Sequence, residues 1–346
     1  MAGGGTGGHV IPALAVAREL RQRGHDVTFV GTDRGLEAKL VPAEEFELNR
    51  IDIGGLNRVG AKQKISTLSR LPFTTLGCRR LVRTSSAVFS MGGYVAGPPV
   101  MAALLSRIPV VVMEPNAYPG FTNRIIGKFV SRALISFPET ARYFAKSEVT
   151  GLPVRDEFFR IQPKPRGETL NLLITGGSQG SRTLNQAGHQ SWPFFRTSGL
   201  PVRIVHQTGP AAFDSMRDAF AESGIEGEVL PFISNMAAAF ESADLVVCRS
   251  GAGAVSELAA AGKPSLLVPF PFAADDHQTH NAEAMARGGA AILVRDAEMT
   301  GEKLVAAVRE LAASPDKLES MATAAKKFAK PGAARRAAEI LEEVAR

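Results

Sequence analysis

Three glycine-rich stretches, each followed by an apolar helical pattern, are the residues of this chain best suited to bind a phosphate group. They lie at residues 3–8, 176–181 and 250–253. Glycine permits positive φ and lets amide N–H groups approach an anion, and a helix that begins there adds unpaired N–H donors and the positive end of its dipole. The first stretch fits G-x-G-x-x-G, which alone is a weak signal. These residues therefore predict recognition of a phosphorylated ligand.

His9 follows the first glycine stretch directly. Histidine titrates near neutral pH, so a side chain at this place could remove the proton from a hydroxyl group that attacks a bound substrate. The alternative is that His9 only satisfies the backbone of the turn. Both interpretations stay open at the level of the sequence.

The elements that must position these residues follow a regular rhythm, in which short apolar strands alternate with longer helical patterns. Strands are expected at residues 27–31, 87–91, 110–113, 133–136, 171–175, 244–248 and 265–268. This rhythm is typical of doubly wound parallel sheets, which bind ligands at the carboxyl ends of their strands. The sequence therefore predicts an α/β protein with two Rossmann-like domains that face each other across a cleft.

A polar, proline-rich stretch at residues 162–167 separates the two halves of this pattern. The length of 346 residues also favours two domains. The predicted division is a first domain at 1–152, a linker at 153–167, a second domain at 168–333 and a C-terminal helix at 334–346 that packs back on the first domain.

The strand expected before the first glycine stretch is represented by Met1 and Ala2 alone. In a doubly wound sheet this strand is central, and the loss of about five residues of paired backbone would destabilise the first domain. We therefore expect that the natural chain starts upstream of Met1.

Composition narrows the class of protein. With 45% apolar and 21% charged residues, the chain has the composition of an ordinary globular protein. Cys78 and Cys248 lie too far apart in sequence to predict a disulfide framework or a zinc site, which favours a reducing cytoplasm. The net charge of +6 suggests an anionic partner.

Residues 62–83 combine apolar side chains with basic ones at the spacing of an amphipathic helix. The basic residues are Lys62, Lys64, Arg70, Arg79, Arg80 and Arg83. Two interpretations stay open: a solvated helix face on a domain core, or a surface that rests on anionic lipid, where each basic residue contributes on the order of 1 kcal/mol. Nucleic acid is not expected as a partner, because the aromatic platforms and recognition motifs of such proteins are missing.

Six segments, in order along nearly the whole chain, resemble the MurG family of bacterial cell-wall glycosyltransferases. They read GGGTGGHV, MGGYVAGPP, NAYPGFTNR, GLPVR, ITGGSQGSRTLN and CRSGAGAVSELAAAGKPSLLVPFPFAADDHQTHNA. The resemblance implies the GT-B fold and an inverting transfer of N-acetylglucosamine from UDP-N-acetylglucosamine to the muramyl 4-hydroxyl of lipid I, which gives lipid II. It implies no metal and no cofactor. The implied location is the cytoplasmic face of the bacterial membrane, with other cell-wall enzymes as further partners.

The resemblance also assigns residues to the UDP-N-acetylglucosamine site. Its members in the second half are Arg155, Ser178, Ile233, Ala252, Gly253, Ala254, Val255, Ser256, Glu257 and Gln278. The N–H groups of the turn at residues 250–253, at the start of a helix expected at 254–261, would hold the pyrophosphate. Glu257 would bind the ribose hydroxyls and Gln278 the sugar. The backbone of Ile233 would meet the uracil. Each of four residues also has a purely structural alternative. Glu257 could be an acid in the first helical turn, Ser178 a helix N-cap, Arg155 a salt-bridge partner and Ile233 a core residue.

In the first half, the same resemblance adds Thr6, Gly7, Gly8 and Asn116 to the binding site. His9 and Glu114 are the two candidates for the catalytic base, and Tyr94 is expected to line the acceptor cleft or to pack in the interior. Two positions depart from the family pattern. Pro115 replaces a glutamine and could shift Asn116, and Ala254 replaces a common threonine, which removes a hydroxyl contact.

Three rival functions follow from parts of the pattern. An NAD-dependent oxidoreductase would use residues 3–8 with Asp33 on the ribose, but it leaves the second pair of glycine turns unexplained. A UDP-N-acetylglucosamine 2-epimerase or a natural-product glycosyltransferase would share the fold. A nucleotide-binding protein without transferase activity is the third.

Overall fold

The structure is a computed structural model that describes residues 1–54, 61–163 and 167–345, without the side chains of residues 61–70. Backbone contacts divide the chain into two compact units. Unit 1 comprises Met1–Val154 together with Lys330–Arg346, and unit 2 comprises Arg155–Ala329.

The sheet of unit 1 is parallel throughout. Its strands are β1 (Thr28–Gly31), β2 (Glu47–Arg50), β3 (Val88–Ser90), β4 (Val110–Glu114), β5 (Arg132–Ile135) and β6 (Ser147–Val149). β1 pairs with β2, and β3 to β6 pair in chain order. Ala2 joins these two groups, because it forms parallel bridges to Val30 on one side and Ser90 on the other. Its N–H donates to the carbonyl of Phe89 at 2.7 Å. Ala2 thus occupies the central place expected for the first strand.

The helices of unit 1 cover this sheet. They are α1 (Gly7–Gln22), α2 (Glu37–Ala43), α3 (Ala61–Val82), α4 (Gly97–Leu105), α5 (Phe121–Ile126) and, from the end of the chain, α14 (Ala333–Ala345). The core between helices and sheet contains Val100, Val112 and Ile135, each almost fully buried. The basic segment at 62–83 lies in α3, and the part of it at residues 62–70 has side chains outside the described set. No described helix combines the length and apolar character needed to cross a membrane.

Helix α14 packs on unit 1 through an apolar face that buries Ala337, Ile340 and Leu341. Its polar side is tied to the sheet by a bidentate ion pair, in which the guanidinium of Arg336 lies 2.7 Å and 3.0 Å from the carboxylate oxygens of Glu148. The hydrogen bond from Arg336 keeps the pKa of Glu148 below its usual value. The end of the chain therefore belongs structurally to its first unit.

Unit 2 contains a six-stranded parallel sheet. Its strands are β7 (Leu170–Thr175), β8 (Val202–Gln207), β9 (Glu226–Leu230), β10 (Leu245–Cys248), β11 (Ser265–Leu267) and β12 (Ala291–Leu293). Their order is β12-β11-β10-β7-β8-β9. The helices are α6 (Asp156–Phe159), α7 (Arg182–Ser198), α8 (Phe213–Ser223), α9 (Met236–Ser242), α10 (Ala252–Ala261), α11 (His277–Arg287), α12 (Gly301–Ala312) and α13 (Pro315–Lys326). The strand order reverses between β10 and β7, where doubly wound sheets bind their ligands.

The segment predicted as a linker at 153–167 differs from a simple linker. Residues 156–159 form α6, and Phe158 is fully buried with its ring edge-on to Phe240 at a centroid distance of 5.3 Å. Phe158 and its neighbour Phe159 form a single aromatic pair within a polar stretch, which gives no periodic signal, so the sequence could not indicate this contact. Residues 164–166 of the predicted linker lie outside the described residues.

We expect Phe158→Ala to destabilise the protein by about 3–5 kcal/mol, because it removes a fully buried ring and leaves a cavity beside Phe240. The measurement is urea unfolding of the full chain. The matched control is Phe194→Ala, since Phe194 is 40% exposed in α7. Equal unfolding midpoints for the two variants would contradict the anchoring role of Phe158.

Candidate functional site

The glycine turn at residues 3–8 and the turn after β3 meet at the carboxyl edge of the sheet in unit 1. Gly93 has a φ of +79°, and a Cβ built on it would lie 3.2 Å from Cε1 of His9. A Cβ built on Gly5 would lie 3.6 Å from the ring of Tyr94. The two turns therefore lie side by side, with the imidazole of His9 beside Gly93 and the ring of Tyr94 beside Gly5.

His9 lies in the first turn of α1. The helix begins with the bond from the Val10 N–H to the Thr6 carbonyl at 3.1 Å. Gly7 and Gly8 are its first two residues, and Thr6 and Gly8 are exposed. The Nδ1 atom of His9 lies 3.2 Å from the carbonyl oxygen of Gly4. His9 therefore contacts the backbone of the turn through one ring nitrogen.

Glu114, the other candidate base, is almost fully buried at the end of β4. Its Oε1 accepts from the backbone and side-chain N–H groups of Asn116, and its Oε2 accepts from Gly120 N–H and the Asn123 side chain, all at 3.0 Å. Burial raises the pKa of Glu114, although these hydrogen bonds oppose the rise. About four lone-pair directions are available on a carboxylate, and all four are used. Glu114 therefore holds the loop of residues 115–123.

Asn116 is fixed in spite of Pro115. Besides its two bonds to Glu114, its carbonyl accepts from the hydroxyl of Thr140 at 3.1 Å. Pro115 is compatible with this turn, because Glu114 still accepts from the N–H groups of Asn116 and Thr140 still donates to its carbonyl.

Glu37 is a residue of this site that the sequence did not single out. Its side chain is fully buried at the start of α2. Oε2 accepts from Gly5 N–H at 2.7 Å, and Oε1 accepts from the N–H and hydroxyl of Thr32 at 3.0 Å and 2.8 Å. An acidic residue at the first position of a helix is common for reasons of the helix dipole alone. Only its contact with the glycine turn distinguishes Glu37.

In unit 2, the turn at 176–181 follows β7 and the turn at 249–251 follows the neighbouring strand β10. Ser178 is exposed in the first of these turns. The N-cap of α7 is Ser181, whose hydroxyl oxygen accepts from Leu184 N–H at 3.3 Å. The alternative that Ser178 is the helix cap is thus wrong, and its side chain faces solvent.

Helix α10 begins at Ala252, two residues earlier than the sequence suggested. Its first i→i−4 bond runs from Val255 N–H to the Gly251 carbonyl at 3.0 Å, so Ala252, Gly253 and Ala254 form its first turn. A Cβ built on Gly253 would meet no atom within 4 Å among the described residues. An anion can therefore approach the N–H groups at this helix end closely.

Glu257 lies farther along α10, with Ser256 beside it, both half-buried. Burial raises the pKa of Glu257 to about 7, while the positive charge of Arg155 opposes the rise and Glu157 adds to it. Arg155 itself forms an ion pair with Glu157 at 2.8 Å. The predicted nucleotide residues Arg155 and Glu257 are thus close enough to interact electrostatically.

Gln278 lies in the first turn of α11. Its Oε1 accepts from Phe270 N–H at 2.9 Å, and a Cβ built on Gly251 would lie 3.9 Å from its Nε2. The amide is therefore held beside the start of α10. The loop before it contains Asp275 and Asp276, both with a φ of +51°. This conformation is uncommon for residues with a side chain and shows that the loop is tightly constrained.

Ile233 is buried, and its N–H donates to Oε1 of Gln207 at 2.8 Å. The amide nitrogen of the same Gln207 donates to the carbonyl of Gly177 at 2.7 Å. Gln207 thus joins the predicted uracil segment to the glycine turn after β7. No motif in the sequence indicates Gln207, although a polar residue directly at the carboxyl end of a strand is a signal of a binding edge.

Both units thus gather their predicted residues at carboxyl edges of parallel strands. The described parts of the chain contain no group of three or more His, Cys, Asp or Glu side chains that could hold a metal ion. In unit 2, the geometry provides a helix N-terminus that can bind an anion and a half-buried carboxyl that can accept hydrogen bonds from hydroxyl groups. In unit 1, it provides an oriented imidazole.

Comparison with known proteins places the chain in a family. Residues 1–135 match the glycosyltransferase family 28 N-terminal domain and residues 171–337 match its C-terminal domain. A relative from Solibacter usitatus, named UDP-N-acetylglucosamine--N-acetylmuramyl-(pentapeptide) pyrophosphoryl-undecaprenol N-acetylglucosamine transferase, is 72% identical over 100% of this chain and 96% of its own. A relative of the same name from Azotobacter vinelandii is 44% identical over 99% of this chain and 97% of its own.

A solved structure agrees with these relatives. The crystal structure of MurG from Acinetobacter baumannii matches with a TM-score of 0.87 and 34% identity, over 98% of this chain and 97% of that one. The resemblance inferred from the six segments is confirmed, and with it the GT-B type of fold. The oxidoreductase alternative is excluded. This chain belongs to glycosyltransferase family 28 and, within it, to the MurG family.

Proposed function

We propose that this protein is an inverting glycosyltransferase that moves N-acetylglucosamine from UDP-N-acetylglucosamine to the muramyl 4-hydroxyl of lipid I. The observation that carries the proposal is the full-length identity of 72% to a relative named for this transfer. The sites in both units supply the groups that the reaction requires: an anion site for the leaving UDP and a base for the acceptor hydroxyl.

The donor would be held by unit 2. The N–H groups in the first turn of α10 would bind the pyrophosphate of UDP, and the helix dipole would stabilise the negative charge that develops when UDP leaves. Glu257 would accept from the ribose hydroxyls, and the Gln278 amide would bind the sugar. Ser178 lies in the turn that follows β7, and Ile233 is joined to that turn through Gln207; with Arg155, which lies near Glu257, they would contact the remainder of the nucleotide. Because helix donors neutralise the pyrophosphate, this arrangement requires no metal ion.

The base would be His9. Its Nε2 would take the proton of the acceptor hydroxyl while the oxygen attacks C1 of the sugar from the face opposite UDP. The new C1–O bond then forms as the bond from C1 to the UDP oxygen breaks, which inverts the configuration. Glu114 is a poor alternative because its oxygens already accept four hydrogen bonds. Tyr94 would line the acceptor site beside His9.

The experiment that tests the function is transfer of labelled N-acetylglucosamine from UDP-N-acetylglucosamine to a short-chain lipid I analogue in excess EDTA. We expect a β-linked product, with the anomeric configuration read from the proton coupling in NMR. A reaction without acceptor is the control for donor hydrolysis. Donor binding without transfer would instead indicate a nucleotide-binding protein, and formation of N-acetylmannosamine would indicate an epimerase.

We expect donor affinity to depend on the charge of Glu257. Since its pKa is raised to about 7, the carboxyl is neutral below that pH and ionised above it, and an ionised carboxylate accepts the stronger hydrogen bonds. Affinity for UDP-N-acetylglucosamine should therefore increase as the pH rises through about 7. Glu257→Gln should weaken binding on the order of tenfold and remove this pH dependence.

Isothermal titration calorimetry at several pH values measures this effect. The matched control is Glu241→Gln, because Glu241 is an exposed acid of unit 2. If Glu257→Gln binds the donor as tightly as the parent chain, or if affinity of the parent does not change with pH, Glu257 has no role in binding the ribose.

We further propose that unit 1 rests on the cytoplasmic face of the membrane through α3 and α4. Phe73 in α3 is 77% exposed and Leu105 in α4 is 61% exposed, and Leu76 in α3 is exposed as well. Arg80 and Arg83 are exposed at the end of this segment. Apolar side chains with a basic rim favour binding to anionic lipid.

We expect the double variant Phe73→Ser/Leu76→Ser to lose most of its binding to anionic phosphatidylglycerol vesicles, as measured by co-sedimentation. Because both side chains are exposed, these substitutions should not unfold the chain. Phe194→Ser, which changes an exposed ring in unit 2, serves as the control and should bind like the parent. Equal binding of the parent to neutral and anionic vesicles would contradict a role of the basic residues in binding anionic lipid.

A further inference from the structure

We propose that Glu37 is a positioning residue for His9, acting through the single peptide group that joins Gly4 to Gly5. The proposal rests on the proposed role of His9 as base. No sequence motif indicates Glu37, and its role would be to set the tautomer of the His9 imidazole and to favour its charged form.

The geometry consists of two hydrogen bonds to one peptide group. The Gly5 N–H donates to Oε2 of Glu37 at 2.7 Å. The Gly4 carbonyl oxygen, on the opposite side of the same planar peptide bond, lies 3.2 Å from Nδ1 of His9. Because hydrogen bonds in series polarise one another, the carboxylate makes this carbonyl a stronger acceptor.

Glu37 is itself held firmly and kept ionised. Burial opposes its charge, but the hydrogen bonds from Gly5 and Thr32 outweigh burial and hold the pKa of Glu37 below its usual value. A Cβ built on Gly4, Gly31 or Gly35 would overlap the Glu37 side chain. The three glycines therefore form a close-fitting cage around the carboxyl group, which leaves it little freedom to move.

The consequence for His9 concerns its tautomer. A carbonyl oxygen can only accept, so Nδ1 must carry the proton and Nε2 carries the lone pair that a base requires. When Nε2 takes a proton from the acceptor hydroxyl, the imidazolium is stabilised by the polarised Gly4 carbonyl. Glu37 thus favours the charged form of His9 without contacting the substrate.

A purely structural role for Glu37 makes a different prediction. If Glu37 only stabilised the turn, its replacement would lower stability and weaken substrate binding, yet the remaining activity would show an unchanged dependence on pH. A positioning role instead lowers kcat and moves the pH profile. These two outcomes separate the roles.

The test is steady-state kinetics of Glu37→Gln in the full chain with the lipid I analogue. Glutamine keeps the shape but has one acceptor oxygen, which the two donors of Thr32 will occupy, so the bond from Gly5 is lost. We expect kcat to fall on the order of tenfold to a hundredfold, as for other outer partners of functional histidines. KM for UDP-N-acetylglucosamine should stay within about twofold, since Glu37 does not contact the proposed donor site. The acidic limb of the kcat/KM profile should move to lower pH.

Two comparisons make the result specific. Glu148→Gln removes a structural carboxylate of the same unit, the partner of Arg336, and should keep the parent kcat and pH profile. His9→Ala should lose on the order of 10²- to 10⁴-fold in kcat together with the acidic limb. If His9→Ala retains both, the proposed base is wrong. If His9→Ala behaves as expected but Glu37→Gln matches the parent, only the positioning role is wrong.

A second measurement requires no folded Glu37 variant. The ¹⁵N chemical shifts of the His9 ring in the parent chain, assigned by their absence from His9→Ala, report which nitrogen carries the proton. We expect the Nδ1–H tautomer at a pH where the ring is neutral. The Nε2–H tautomer would overturn the proposal.

Discussion

Backbone amide groups that leave a parallel sheet at its carboxyl edge have no neighbouring strand to bond, so each requires another partner. Among the described residues, the side chains that supply such partners include Glu37, Glu114 and Gln207. Glu37 binds the first glycine turn, Glu114 binds the loop after β4, and Gln207 binds the turn after β7. These loops depend on such bonds for their shape, because glycines alone would leave the turns free to adopt many conformations.

The two units use the same sheet edge for opposite electrostatic purposes. In unit 1, carboxylates satisfy the loop amides, which leaves those N–H groups unavailable for a ligand. In unit 2, the first turn of α10 has no acidic residue, and its N–H groups point toward the place where an anion is expected. One architecture can therefore serve both proposed roles, a site that positions a base and a site that binds a leaving group.

Much of this arrangement could be predicted from the sequence. The expected strands appear within about two residues of their positions, whereas β2, β6, β8, β9 and β12 were not expected. His9 and Glu257 lie on the elements assigned to them. The alternative role of Ser178 as a helix cap is wrong, and the buried Phe158 lies in a segment expected to be a linker, because capping and burial depend on which of several nearby residues fits the local geometry. Glu37 and Gln207 were not found, since each acts on a turn far from it in sequence. Local spacing contains no information about such tertiary partners.

The glycine cage around Glu37 also limits how the sequence can change over evolutionary time. Addition of one methyl group at Gly4, Gly31 or Gly35 would collide with the Glu37 side chain, whereas a smaller residue at position 37 would leave the amide of Gly5 without its acceptor. Substitutions at the three glycines are therefore costly because the added atoms collide, and substitution of Glu37 is costly because an acceptor is lost; since these residues are in contact, the effects are not additive. Descendants of this sequence can leave the arrangement only by compensated changes at several of these positions.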